Sequence, residues 1–272
     1  MPTSSPTLCG SISIRPSQFG VTMHNAGYKA LGLPYVYVAF GTEDTRAAVE
    51  AVRSLGIRGL GVSMPHKIEI MQYLDALDDT AREIGAVNTV VNDDGHLTGY
   101  NTDWVGAIHA IEEHTEVAGT RSIVVGAGGA ARAIVYGLVK RGSQVTVLNR
   151  TASKGEALAL EFGARFGGGV EALGAIPEAD ILVNATAVGF HAPDQSLIPS
   201  PVLRPGRVVL DVVFVPPESR LIREAEARGC VAIRGTRMLV HQAAHQFELY
   251  TGQRAPFEVM EGAILAKIAQ MT

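Results

Sequence analysis

The segment SIVVGAGGAARA, residues 122–133, constrains the fold of this chain more than any other stretch. An apolar, strand-like run leads directly into a G-x-G-x-x-A pattern, and a helical pattern follows. The glycines permit a tight turn and let a pyrophosphate approach the backbone at the helix N-terminus. We therefore predict a dinucleotide-binding βαβ unit, rather than a glycine-rich turn without a ligand. Its predicted phosphate-binding residues are Gly126, Gly128, Gly129, Ala130 and Ala131.

The residues after the next strand-like run indicate which dinucleotide binds. Where an NAD site usually carries an acidic residue for the ribose hydroxyls, this chain has Asn149, Arg150 and Thr151, with Lys154 one turn later. No Asp or Glu occurs anywhere from 127 to 155. We therefore predict that the 2′-phosphate of NADP binds here, with Arg150 bonding the phosphate. A solvated helix start would explain the cations but not the absent acid.

The alternation of patterns along the chain predicts two α/β regions. The first hundred residues alternate strand-like and helical runs, and a hairpin is predicted around NDDG, residues 92–95. From Trp104 onward, helical runs alternate with continuous apolar strands, which is typical of a parallel sheet covered on both faces. We expect an α/β fold in which an N-terminal domain with a mixed sheet, 1–103 completed by 237–272, faces a Rossmann-type domain, 104–236, across a cleft.

Composition and charge exclude several classes of partner. Apolar residues make up 47% of the chain and charged residues 18%, a balance that is typical of a folded globular protein. The formal net charge of -4 offers no general attraction to a phosphate backbone, so we expect no nucleic-acid partner. No apolar run approaches the roughly 18 residues that cross a bilayer, and the first residues do not read as a secretory signal. We expect a cytoplasmic protein with no membrane association.

The stretch GVSMPHK, residues 61–67, places a lysine where it brings no local stability. Pro65 is predicted to open a helix through HKIEIMQYL, so that Lys67 falls in its first turn. The helix dipole is positive there, which makes a cation mildly unfavourable and disfavours the ammonium form. We interpret Lys67 as a candidate proton donor or acceptor, against the alternative of a solvated lysine.

The motifs taken together resemble those of the shikimate dehydrogenase family over nearly the whole chain. They are MHN, VSMPHK, GAVNT, GYNTD, GAGGAARA, NRT, NATAVG and GTRMLVHQAAHQFELYTG, in the family's order. The resemblance implies an N-terminal substrate domain completed by the C-terminal helices, and an NADP domain across a cleft. It also implies reversible, NADP-dependent reduction of 3-dehydroshikimate to shikimate in the chorismate pathway of aromatic amino acid biosynthesis, by a monomer or homodimer.

The resemblance also implies roles for individual residues. Lys67 and Asp103 correspond to the family's catalytic pair, in which the lysine exchanges a proton as hydride reaches the carbonyl carbon. Asp103 has a rival role as a helix cap, and Gln242 as a solvated helix residue. The implied substrate-binding residues are Gln18, Gly20, Ser63, Asn88 and Gln242, and further implied cofactor-binding residues are Thr186, Gly235 and Met238.

Three histidines near these motifs need a separate interpretation. His241 and His245 have the i, i+4 spacing of a metal pair, but no third ligand accompanies them in sequence, so we predict a helix face and no metal. His66 stands where relatives often carry phenylalanine, next to Lys67. We interpret His66 as a residue that tunes this lysine.

Three changes from the family's pattern, at four positions, fall around the substrate carboxylate. Members usually carry a serine pair where this chain has Gln18 and Gly20, tyrosine at Phe214, and asparagine at Gly61. Each hydrogen bond lost from a charged group is worth about 1.5 to 3 kcal/mol. We therefore predict the same reaction with a relaxed or changed substrate preference, extending to quinate or an aminoshikimate-like hydroxy acid, with a non-catalytic NADP- or metabolite-binding regulator as the other alternative. The candidate replacements are Ser11, Ser13, Arg15, Ser17, Thr22 and Gln18 itself.

Overall fold

A computed structural model describes residues 5–175, 178–190 and 192–271. The described chain divides into two compact units. The first comprises the residues up to Thr102 together with Gln242–Met271, and the second comprises Asp103–His241. The outer ends of the predicted domains, residues 1–4 and 272, lie outside the described residues. The assignment of substrate binding to 1–103 with 237–272, and of NADP binding to 104–236, remains a prediction.

Strands and helices alternate through most of the chain. The strands are β1 (Thr7–Ser13), β2 (Tyr35–Gly41), β3 (Gly59–Val62), β4 (Ala76–Leu77), β5 (Thr89–Asp93), β6 (His96–Tyr100), β7 (Arg121–Val125), β8 (Gln144–Leu148), β9 (Arg165–Phe166), β10 (Ile181–Asn184), β11 (Val208–Asp211) and β12 (Val231–Ile233). The α-helices are α1 (Phe19–Ala30), α2 (Thr45–Ser54), α3 (His66–Glu69), α4 (Asp79–Ile84), α5 (Asp103–Glu112), α6 (Gly129–Lys140), α7 (Ala152–Phe162), α8 (Arg220–Ala227), α9 (Gly235–Thr251) and α10 (Phe257–Ala269). Short 3-10 helices occupy Ile70–Tyr73, Val170–Ala175 and Ser200–Val202.

The first unit contains a mixed six-stranded sheet in the order β2-β1-β3-β5-β6-β4. β1 pairs in parallel with both β2 and β3, whereas β3 with β5 and β5 with β6 are antiparallel. The last pair is the predicted hairpin, and it is confirmed. Its two loop residues, Asp94 and Gly95, have φ of 52° and 95°, the left-handed values that a two-residue turn requires.

The two faces of this sheet are covered differently. Aliphatic side chains such as Val49, Leu60 and Val90 form a core on one side. The other side holds buried rings, and a Cβ on Gly59 would lie 2.2 Å from the ring of Tyr250. Only a glycine lets that ring lie so close to β3. The MHN motif contributes His24, whose ring stacks on Tyr37 at 4.3 Å between centroids.

Burial of His24 predicts a stability that depends on pH. The ring is 0% exposed, neither nitrogen has a hydrogen-bond partner in the described residues, and burial lowers the pKa of His24 to about 4. Because the unfolded chain takes up this proton near pH 6.5 and the folded chain does not, the free energy of unfolding should fall by roughly 3 kcal/mol as pH drops from about 6.5 to about 4. Urea unfolding at a series of pH values measures this, and His24→Phe should lose that part of the slope. Equal slopes for both proteins would contradict it.

The second unit contains a parallel six-stranded sheet in the order β12-β11-β10-β7-β8-β9. Its central strands β7, β10 and β11 are almost entirely buried, because helices and loops pack on both faces. The prediction of a parallel, doubly covered sheet is confirmed. β7 lies next to β10, so strand order reverses there, and the carboxyl ends of strands at such a point form the usual ligand crevice of open α/β sheets.

The predicted helix through HKIEIMQYL is wrong in its length. Pro65 is the N-cap of α3 rather than its first residue, and the α-helix ends after Glu69, where a 3-10 helix continues. One helical turn sums few peptide dipoles, so the dipole argument for Lys67 loses most of its force.

In the described part of the chain, no helix combines the length and hydrophobicity that crossing a membrane requires.

Candidate active site

The glycine-rich turn between β7 and α6 leaves room for a phosphate. Gly126 has a φ of 123°, and a Cβ there would lie 2.8 Å from the carbonyl oxygen of Ala185. Gly128 is the N-cap of α6 and makes no side-chain capping bond, and Cβ atoms on Gly128 and Gly129 would meet nothing within 4 Å. The first backbone N–H groups of α6 therefore face open space, which suits a pyrophosphate. Ala131 is buried and packs in the core.

The carboxyl end of β8 presents the two cations that the sequence singled out. Arg150 and Lys154 are exposed, and no salt bridge of either is recorded among the described residues. Asn149 donates from Nδ2 to the carbonyl of Thr151 at 2.8 Å, which shapes the turn into α7. Thr151 is the N-cap of α7 and makes no side-chain capping bond. This donor set fits the 2′-phosphate of NADP.

The other cations of this region are engaged elsewhere. Arg132 forms two hydrogen bonds to Glu161, and Arg141 pairs with Glu112 at 3.1 Å. Lys140 lies 5.7 Å from the ring centroid of Tyr136. Of the five lysines and arginines from 127 to 155, the structure leaves Arg150 and Lys154 as the pair at the end of β8.

The loops after β10 and β11 are tied together by a buried network that the sequence did not indicate. Asn184 donates from Nδ2 to Asp211 at 2.8 Å and accepts from the hydroxyl of Thr186 at 2.7 Å. Asp211 also accepts from the Ser219 hydroxyl and from the backbone N–H of Val213. Burial raises the pKa of Asp211, against these hydrogen bonds. The predicted cofactor residue Thr186 is thus held, through Asn184, by a carboxyl group at the end of the next strand, β11.

The remaining predicted cofactor residues lie at the start of α9. A Cβ on Gly235 would lie 2.6 Å from the carbonyl oxygens of Val212 and Val213, so the helix begins against the loop after β11. Met238 is 8% exposed and packs in the hydrophobic core of its unit. His241 bonds Glu113 at 2.9 Å, a contact within the second unit that occupies one ring nitrogen.

Lys67 is half-buried in the single turn of α3. Its carbonyl oxygen accepts from the backbone N–H of Val87 at 2.8 Å, which joins α3 to the strand entering Asn88. Ser63 is exposed, and its backbone spans from β1 to α3: its N–H donates to Ile12 at 3.0 Å and its carbonyl accepts from His66 at 3.0 Å. Backbone hydrogen bonds therefore hold Lys67 itself and the residue before it.

Asn88 is the centre of a hydrogen-bond network in the first unit. It is 2% exposed, and its Oδ1 accepts from the backbone N–H of Thr102 at 2.7 Å and from the Thr89 hydroxyl at 2.8 Å. Its Nδ2 donates to the Thr102 hydroxyl at 3.0 Å and to Oε1 of Gln242 at 3.4 Å. The structure thus brings together the predicted residues Asn88 and Gln242. Sequence reasoning missed Gln246, which donates to Thr89 at 2.9 Å.

Two of the positions that depart from the family pattern pack against one tyrosine. A Cβ on Gly20 would lie 3.3 Å from the ring of Tyr37, and a Cβ on Gly61 would lie 2.7 Å from its hydroxyl oxygen. Tyr37 is 2% exposed, and its backbone exchanges two hydrogen bonds of 2.9 Å with the side chain of Asn25. Sequence reasoning missed Tyr37. The only available signal was the pair of glycines, which leave room for a large ring.

Three further residues that the sequence singled out are Gln18, Phe214 and Asp103. Gln18 is exposed at the N-cap of α1 and makes no capping bond with its side chain. Phe214, in the second unit, lies 6.2 Å from Phe190 between ring centroids. Asp103 is the first residue of α5 and is 9% exposed. Its pairing with Lys67 stays a prediction.

Three family models and several known proteins are similar to this chain. The family described as shikimate dehydrogenase substrate binding domain matches residues 13–90. Shikimate / quinate 5-dehydrogenase matches residues 109–194, and the shikimate 5'-dehydrogenase C-terminal domain matches residues 235–265. The shikimate dehydrogenase (NADP(+)) of Methanothermobacter thermautotrophicus is 42% identical over 253 residues, which cover 89% of each chain.

Solved structures share the fold over nearly the full length. A crystal structure of a shikimate dehydrogenase in complex with NADP+ has a TM-score of 0.91 at 38% identity and covers 98% of both chains. A ligand-free 5-ketofructose reductase of Gluconobacter sp. strain CHM43 has a TM-score of 0.90 at 31% identity and covers 97% of this chain and all of that one. With matches of this identity and coverage, the chain belongs to the shikimate dehydrogenase family.

Proposed function

We propose that this chain is an NADP-dependent oxidoreductase that interconverts shikimate and 3-dehydroshikimate. The observation that carries the proposal is the network around Asn88. It joins the backbone of Lys67, through Val87, to Thr102, the residue immediately before Asp103. The buried amide of Asn88 therefore follows the residue that bonds the backbone of Lys67, and it bonds the residue that precedes Asp103.

Each proposed site residue has its own role in the reaction. NADP supplies the hydride acceptor or donor when it is bound, and Arg150 with Lys154 would hold its 2′-phosphate. Lys67 gives a proton to the substrate oxygen during reduction, or takes it during oxidation, so that no alkoxide charge is left in the site. Asp103 orients the ammonium group and a substrate hydroxyl. Asn88 and Gln242 would orient the ring hydroxyls.

A second candidate is the same chemistry on a substrate that differs at its carboxylate end. Tyr37 occupies the space that Gly20 and Gly61 leave, and its hydroxyl bonds Ser11. These groups are neutral, and burial raises the pKa of Tyr37, so no charge is present on them to attract a carboxylate. A neutral polyhydroxy ketone such as the substrate named for the ketofructose reductase would then be preferred. Quinate and an aminoshikimate-like hydroxy acid keep the carboxylate, and they are the alternatives that the sequence predicts.

One assay separates these candidates. Purified protein is incubated with NADP or NAD and with shikimate, quinate, aminoshikimate or fructose, and nicotinamide absorbance is followed. The leading proposal expects the highest kcat/KM with NADP and shikimate. A higher value for another substrate would support the second candidate, and no reduction with any substrate would leave a non-catalytic binding protein.

Tyr37 and Gly61 yield a testable prediction about packing. In Gly61→Ala the new Cβ must displace the Tyr37 hydroxyl, and overpacking of this kind costs about 1 to 3 kcal/mol. Urea unfolding should show this loss, and the double variant with Tyr37→Phe, which lacks the oxygen, should recover most of it. Additive losses in the double variant would mean that the two residues are not in contact.

We also propose that the enzyme acts in the cytoplasm as a monomer or homodimer, with no nucleic-acid partner. Its net charge of -4 supports the last point. Sedimentation of the purified chain tests the oligomeric state, and a mass above that of two chains would overturn it.

A further inference from the structure

His66 is fully buried next to Lys67, and both of its ring nitrogens have partners. Nε2 lies 3.1 Å from the carbonyl oxygen of Thr42, and Nδ1 lies 2.9 Å from the hydroxyl oxygen of Thr45. The same hydroxyl lies 2.6 Å from Oε2 of Glu69, one turn along α3. A continuous path therefore runs from a backbone carbonyl, through the imidazole and the threonine, to a carboxyl group.

Counting hydrogens along this path determines the charge of the ring. The Thr42 carbonyl can only accept, so Nε2 must carry a hydrogen. Thr45 has one hydroxyl hydrogen, and its distance to Glu69 is that of a charge-assisted O–H···O⁻ bond. That hydrogen therefore points at Glu69, and Nδ1 must supply the hydrogen between itself and Thr45. A ring with hydrogens on both nitrogens is an imidazolium.

A neutral His66 ring fits the contacts along this path less well. If Thr45 donates to Nδ1, no hydrogen remains between Thr45 and Glu69, and two oxygens face each other at 2.6 Å unless the carboxyl is protonated. Glu69 is exposed, so water can solvate its carboxylate. Passing from the imidazolium to this neutral form moves the Nδ1 proton to the Thr45 oxygen while the hydroxyl hydrogen passes to Glu69, so the total number of protons is unchanged.

The groups packed around His66 allow this charge. Asp44 is the N-cap of α2 and accepts a hydrogen bond from the backbone N–H of Ala47 at 2.9 Å. Its carboxylate offsets the positive end of the helix dipole beside Thr45. Arg46 is paired with Glu50 at 2.9 Å. From the 3-10 helix that follows α3, the Tyr73 hydroxyl lies 3.5 Å from the other oxygen of Glu69. Lys67 is the neighbouring cation on α3 itself.

We propose that His66 is a positioning residue, held as an imidazolium by Glu69 through the Thr45 hydroxyl, that fixes the single turn of α3 and thereby Lys67. The need for such a link is physical. A helix of four residues has too few internal hydrogen bonds to be stable by itself, so side-chain bonds to α2 and to the loop before it must hold it. The proposal rests on the proposed function only in that Lys67 is the proton-transfer residue.

The charge of His66 is tested by NMR of protein with ¹⁵N-labelled histidine rings at neutral pH. His66→Gln identifies the signals, and both ring nitrogens of His66 should show the shifts of an imidazolium. Glu69→Gln should convert the ring to the neutral tautomer with hydrogen on Nε2. Glu50→Gln, a matched change of a glutamate that does not contact the ring, should leave it charged. A neutral His66 ring in the unaltered protein would overturn the proposal.

The positioning role is tested with Thr45→Val, which keeps the shape of the side chain but breaks the link, and with Thr45→Ser, which keeps the hydroxyl. The Val87 amide, which donates to the carbonyl of Lys67, should exchange its hydrogen at least about tenfold faster in Thr45→Val and normally in Thr45→Ser. The kcat should fall about tenfold or more in Thr45→Val with the KM for NADP unchanged, and should recover in Thr45→Ser. Unchanged exchange in Thr45→Val would overturn the positioning role, whereas absence of turnover in the unaltered protein would contradict the proposed function and not the state of His66.

Discussion

Lys67→Met should lower kcat about 10²- to 10⁴-fold, because it removes the group that exchanges a proton with the substrate oxygen while it keeps most of the length of the side chain. The backbone bond from Val87 to the carbonyl of Lys67 does not depend on the side chain, so α3 should stay in place. Steady-state kinetics with NADP and the preferred substrate measure the loss. Fluorescence titration should show NADP affinity within about twofold of the unaltered protein.

Lys29→Met is the matched control for this substitution. Lys29 is an exposed lysine in the last turn of α1, in the same unit as Lys67. It should keep full activity. If Lys67→Met loses NADP affinity and stability together with kcat, the lysine is structural and the assignment of proton transfer is wrong.

Arg150→Ala should weaken NADP binding about 10- to 100-fold, because hydrogen bonds to a charged group contribute about 1.5 to 3 kcal/mol. NAD lacks the 2′-phosphate, so its affinity should change by less than about threefold. The measurement is the ratio of KM values for the two cofactors, and adding Lys154→Ala should lower the preference for NADP further.

The control for the cofactor prediction is Arg141→Ala, at the other end of α6 in the same unit. Arg141 pairs with Glu112 and lies at the C-terminal end of that helix, away from the glycine-rich turn. The ratio of cofactor KM values should not change. Equal weakening of NADP and NAD by Arg150→Ala would show that this arginine contacts a part common to both cofactors.

The glycines that depart from the family pattern have a structural setting that the sequence does not report. From the sequence, Gly20 and Gly61 appear as losses of hydrogen-bonding side chains. In the structure both glycines adjoin the buried phenol of Tyr37. The serine among the predicted replacements that contacts this phenol is Ser11. A neutral group in this position would alter which substrate is preferred without changing the chemistry of Lys67.

The length of α3 shows why the local pattern was insufficient there. HKIEIMQYL has apolar residues at helical spacing, and the pattern predicts one continuous helix. The chain instead tightens into a 3-10 helix after Glu69, where bonds from His66 and Glu69 to α2 determine the geometry. Thr45 is 21 residues from His66 in sequence, and no local propensity reports such a contact.

The sequence by itself determined the dinucleotide turn, the hairpin and the parallel sheet of the second unit. Each depends on properties of neighbouring residues: a glycine at positive φ, a two-residue turn, or a continuous apolar run. Only the tertiary structure decided the partners of Asn88, the burial of Asp211 and the filling of the space beside Gly61. Those contacts join residues as far apart as Asn88 and Gln242, 154 positions along the chain, and they exist only because packing brings distant backbones together.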